Sequence, residues 1–116
     1  MDEAFIKKVQ PNSPEAEQSV IGAMIMDRDA IADVIDIVSA DDFYQKQNGI
    51  LFEAMTELYR EGKPVDLVTL QNKLKKKDVP ESMKSLEFIR DLLEAVPTSA
   101  NAKQYAKIVS EKATLR

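Results

Sequence analysis

Between Ala16 and Ile25 the apolar residues recur at one-turn spacing. Ala16, Val20, Ala23 and Met24 form one stripe, and Ile21 and Ile25 widen it until most of the circumference is apolar. The pattern predicts a helix central to the core, with Gly22 allowing a neighbouring helix to approach closely. Its start is marked by Ser13, a side-chain cap, and by Pro14, which suits the first helical position. Glu15 and Glu17 are expected to face the positive end of the helix dipole. A second helix follows from Ile31, Val34, Ile35 and Val38, with Asp27 or Asp29 as its cap. The string from Ser39 to Tyr44 reads as a capped single turn that ends in two anchoring aromatics, Phe43 and Tyr44. Leu51, Ala54, Met55 and Leu58 define a third helix, stopped by Gly62. Asp66 caps a fourth, with Leu67, Leu70 and Leu74 on one face and lysines at its end. Residues 78–85 contain Pro80 and no periodicity, so they are expected to form a mobile loop. Leu86, Ile89, Leu92, Leu93 and Val96 predict a fifth helix ended by Pro97. Asn101 is the expected cap of a sixth, carrying Ala102, Tyr105, Ala106, Val109 and Ala113.

No segment alternates convincingly as a strand does. The expected fold is therefore all-α, a compact array of about six helices sharing one core. Residues 1–12 read as a flexible polar leader and 13–116 as one helical domain. The last helical pattern reaches Leu115 and Arg116 without a stop signal, as expected of a fragment of a longer protein.

The composition narrows the chemistry. At 116 residues, 44% apolar and 31% charged, the chain matches a single soluble domain. It has neither Cys nor His, which removes disulfides, thiolate and imidazole metal sites and the commonest general base. No apolar run approaches the ~20 residues of a membrane span, and the start is unlike a signal peptide, so a cytoplasmic location is expected. The net charge of −4 weighs against a dedicated nucleic-acid binder.

Four features invite a functional reading. Lys73, Lys75, Lys76 and Lys77 cluster at a helix end, where they serve either as a solvated complement to the dipole or as a DNA-binding face. Asp41 and Asp42 read as helix-start capping rather than as cation ligands, since no third ligand is near in sequence. Gly62-Lys63 lacks the rest of a phosphate loop, because Glu57 and Pro64 occupy the positions that require Gly and Ser or Thr. Phe88 lies at the edge of an apolar arc beside Leu92. It is either a core-edge residue or an anchor for a partner protein.

Several ordered strings carry a family resemblance: Ser13-Pro14-Glu15-Ala16-Glu17-Gln18-Ser19-Val20-Ile21-Gly22-Ala23, Asp42-Phe43-Tyr44, and Gly62-Lys63-Pro64-Val65-Asp66-Leu67-Val68-Thr69. Val96-Pro97-Thr98-Ser99-Ala100-Asn101 and Tyr105-Ala106-Lys107-Ile108-Val109 continue the series. Together they resemble the N-terminal domain of the bacterial replicative DNA helicases of the DnaB type. The pattern departs at Asn48, where the family usually carries His before the third helix, and near Met83-Lys84, where it usually carries a Gly pair. The resemblance implies a six-helix head followed by a helical hairpin, a linker and a RecA-like motor domain. It also implies a head that forms a collar on the hexamer and recruits primase and, in some bacteria, a helicase loader. ATP and magnesium, and most contacts with DNA, would belong to the motor domain, leaving this piece without catalytic residues or cofactor. Phe88 and Leu92 are the nominated partner-binding residues.

Overall fold

A computed structural model describes residues 11–94 and 101–116. Among them are six α-helices: α1 (Pro14–Met26), α2 (Arg28–Ile35), α3 (Lys46–Arg60), α4 (Leu67–Lys75), α5 (Leu86–Glu94) and α6 (Ala102–Leu115). Two single 3₁₀ turns, Ala40–Asp42 and Glu81–Lys84, lie between helices. The leader up to Gln10 and the proposed stop at Val96-Pro97 lie outside the described residues.

The helix starts are set by short polar side chains. Ala16 N–H donates to Ser13 Oγ at 3.3 Å, and Pro14 occupies the first helical position. Asp27 ends α1 and starts α2, its carboxylate accepting from Asp29 N–H at 3.0 Å. Asp42 Oδ2 accepts from Ser39 N–H at 2.9 Å, which makes Asp42 a capping residue of the first 3₁₀ turn. At the far end of α3, Gly62 adopts φ +73°. There Gly62 N–H donates to Tyr59 O and Lys63 N–H to Leu58 O, the paired closure that a left-handed glycine permits.

Helix α1 is the centre of the core, in contact with α2, α3, α5 and α6. Val20, Ile21, Ala23, Met24 and Ile25 are all buried, and so is Gly22. Leu51, Ala54, Met55 and Leu58 of α3 join them, followed by Leu70 and Leu74 of α4, Ile89 of α5, and Ala106 and Val109 of α6. Burying a side chain of Leu or Ile size contributes roughly 1.5–3 kcal/mol relative to leaving it in water, so this shared face supplies the main driving force.

The structure corrects several expectations. Glu17 lies in the first turn of α1 as expected, but it is also 1% exposed, and its carboxylate reaches across to the start of α3. There Oε2 accepts from Tyr44 N–H at 2.7 Å, while Oε1 accepts from Gln45 N–H at 3.1 Å and from Asn48 Nδ2 at 3.1 Å. Asn48 lies inside α3 rather than before it. Phe43 is buried, with its ring centroid 5.3 Å from that of Phe52, but Tyr44 is 41% exposed and anchors nothing in the core. Residues 78–85 include the second 3₁₀ turn, which inserts Met83 into the core, and Gln71 Nε2 donates to Lys84 O at 2.9 Å. Asn101 occupies the cap position of α6 without a side-chain cap bond.

The opposite end of α3 is held by Arg28 of α2. Its Nη1 donates to Lys63 O at 2.6 Å and its Nη2 to Tyr59 O at 3.3 Å, with the guanidinium 4.8 Å from the centroid of the Tyr59 ring. A carboxylate at the amino end and a guanidinium at the carboxyl end both complement the α3 dipole.

The first 3₁₀ turn lies tightly on α3 at Gly49, where an added Cβ would meet Ala40 O at 2.8 Å. Because that neighbour is backbone, it cannot yield cheaply. Gly49→Ala is expected to lower stability by about 1–3 kcal/mol despite the better helix propensity of alanine. Urea denaturation checks this: the midpoint falls, whereas a gain in stability would mean that the turn moves freely.

Candidate partner-docking and nucleic-acid faces

Helix α5 carries the first candidate. Ser85 starts it by accepting from Phe88 N–H at 3.1 Å. Ile89 and Leu92 face the core, while Glu87, Arg90, Asp91 and Glu94 are exposed. Phe88 packs against the core with part of its ring in solvent, at the edge the sequence pattern indicates. Leu92, one turn on, is 7% exposed. It therefore offers support beneath a docking surface rather than a protruding anchor. Leu92 also contributes, with Pro14, an apolar side chain to an open groove of ≈ 340 Å³ between the starts of α1 and α3, whose rim includes Gln18 and Gln47. Phe88 does not line that groove, so the helix brings the two nominated residues together only in part.

The second candidate is the lysine-bearing end of α4. Asp66 begins this helix, its Oδ1 accepting from both the backbone N–H and the hydroxyl of Thr69 at 2.8 Å. At the other end the lysines divide into two pairs. Lys73 Nζ lies 2.8 Å from Glu61 and 3.8 Å from Glu57, and Lys77 Nζ lies 2.7 Å from Glu57. Lys75 and Lys76 are exposed and form no ion pair among the described residues. The hydrogen bond from Lys73, and then that from Lys63, holds the Glu61 carboxyl below its ordinary pKa. The bond to Glu61 correspondingly raises the Lys73 ammonium. Two of the four cations are thus spent on α3, leaving a thin basic face for a phosphate backbone. Neither glutamate was nominated from the sequence as a partner for the lysines, although their i, i+4 spacing at the end of α3 is legible there.

The Gly62-Lys63 pair closes α3 instead of opening a helix, and Lys63 Nζ pairs with Glu61 at 3.1 Å. A phosphate cradle needs free backbone N–H groups at a helix start beside its lysine. These residues do not fit a nucleotide. No helix among the described residues is long and apolar enough to cross a membrane.

The cap on α4 generates a pH prediction. The hydrogen bonds from Thr69, first its backbone N–H and then its hydroxyl, hold the Asp66 carboxyl below its ordinary pKa. Its stabilisation is therefore complete above the unfolded pKa and is lost as pH falls through the depressed folded value. Asp66→Ala should cost about 1 kcal/mol near neutrality. In urea titrations the gap between the two proteins should close toward acid; a gap that is constant with pH would contradict this origin.

Residues 9–111 match the model of the DnaB-like helicase N terminal domain. The chain is 39% identical over all 116 residues to the replicative DNA helicase DnaB of Geobacillus stearothermophilus, of which it spans 26%, about a quarter of that protein's length. Among solved structures, the N-terminal domain of DnaB helicase from Mycobacterium tuberculosis superposes with a TM-score of 0.88 at 39% identity. That match covers 93% of this chain and 75% of the other. The N-terminal domain of DnaB helicase from Helicobacter pylori, a structure that also addresses its interactions with primase, shares the fold. Its TM-score is 0.72 at 23% identity, over 98% of this chain and 86% of that one. By the extent of the family match and the agreement in fold, this chain belongs to the DnaB-like helicase N-terminal domain family.

Proposed function

We propose that this chain is the N-terminal interaction domain of a replicative DNA helicase, which supports a hexamer collar and recruits primase during chromosome replication. The family match over residues 9–111 carries the reading. The interaction of the Helicobacter pylori domain with primase supplies the partner class. In this reading a helicase loader is a second partner in some bacteria, and the protein works in the cytoplasm. The chain itself catalyses nothing. ATP and magnesium are used, and DNA is mainly contacted, by a motor domain in the remaining three quarters of a protein of the relatives' length.

The docking face is assigned to the outer side of α5, where the half-buried Phe88 is the anchor and Leu92, buried one turn on, ties the helix to the core. Aromatic side chains contribute disproportionately at interfaces because they bury large area with few rotatable bonds, here inside a charged rim of Glu87, Arg90 and Asp91. Phe88→Ala should weaken binding of the helicase-binding domain of primase by about tenfold or more, as expected for an anchor. Calorimetric titration measures the affinity and a melting curve verifies the fold. Unchanged affinity with an intact cooperative melt would remove Phe88 from the interface.

A further inference from the structure

The carboxyl end of α6 is fastened to two segments remote from it in sequence. Arg116 Nη1 donates to Pro11 O at 3.0 Å, and Nη2 donates to Asp42 O at 2.6 Å. Its guanidinium also lies 5.4 Å from the centroid of the Tyr44 ring. A planar guanidinium can bridge two carbonyls while stacking on an aromatic face; a lysine ammonium cannot reproduce all three contacts. Tyr44 is the residue whose N–H donates to the buried carboxylate of Glu17, and the next N–H, that of Gln45, does the same. Residues 42–45 are thus gripped twice, by Arg116 through a carbonyl and a ring, and by Glu17 through two backbone donors. Within this segment the Phe43 ring is buried, but Tyr44 is 41% exposed, so burial of its own ring does not hold Tyr44 in place.

We propose that Arg116 is a clasp that couples the carboxyl end of α6 to the amino end of α3. While the clasp is closed, residues 42–45 keep both N–H groups aimed at Glu17. When Arg116 is drawn away, the entry to α3 loosens although the core beneath it stays packed. A displacement at the end of α6 is thereby transmitted to the central helix through one positioning residue. This inference rests on the geometry of this chain and is independent of the helicase reading.

The test is amide hydrogen exchange by NMR on the chain and on its Arg116→Ala and Arg116→Lys variants. In Arg116→Ala, protection at Tyr44 and Gln45 should fall by about tenfold or more while Leu70 and Leu74 in α4 keep theirs, the mark of local rather than global opening. Arg116→Lys should restore protection only in part. Unchanged protection at Tyr44 and Gln45 would overturn the clasp. So would an equal loss at every core amide, which would make Arg116 a general stabiliser, or full restoration by lysine, which would make its charge alone sufficient.

Discussion

The carboxylate of Glu17 is the constraint on which the arrangement of helices depends. A buried charge is expensive unless hydrogen bonds replace its water, and three donors from the start of α3 do so here. The same bonds satisfy the backbone N–H groups that lead into α3, so neither helix is complete without the other. Burial alone tells α1 and α3 to meet; the carboxylate determines at which residue. Arg28 supplies the matching contact at the other end, binding the carbonyls of Tyr59 and Lys63. The middle helix is therefore fixed lengthwise by two charged side chains whose signs suit its dipole. The remaining helices pack on this α1–α3 unit through apolar faces, which are less particular about register.

That division of labour bears on function. The polar contacts that specify the fold are spent within the domain, and the ion pairs of Lys73 and Lys77 with Glu57 and Glu61 draw much of the basic cluster into the same task. Such surface pairs add little stability, but they lower the charge offered to a nucleic acid. The outward face of α5 is different. Its aromatic Phe88 is only half-buried at the edge of the core and its charged flank is exposed, which supports the proposed docking role.

Much of the fold was legible in the sequence because it is encoded locally. Ser13-Pro14, Asp27, Gly62 and Asp66 mark helix ends through bonds to residues two to five positions away, and the apolar faces repeat at helical spacing. What escaped is long-range. Glu15 and Glu17 look alike in the first turn of α1, yet among the described residues only Glu17 meets donors, and these lie 27, 28 and 31 residues further on. Met83 is a lone apolar residue in a stretch without periodicity, so nothing local announces that a 3₁₀ turn carries it into the core. The tight approach of Ala40 to Gly49 is likewise invisible before the chain is folded. The candidate sites follow the same rule. Phe88 was placed at its apolar edge by periodicity, whereas the pairing of Lys73 and Lys77 depends on which helix α4 packs against.

The most direct test of the account is an amide-shift NMR titration of this chain with the helicase-binding domain of primase, run beside a matched titration with single-stranded DNA. The account predicts localised shifts on the outer face of α5 around Phe88 with the primase domain, and none with DNA. Silence toward the primase domain, or DNA-induced shifts centred on Lys75 and Lys76, would contradict it.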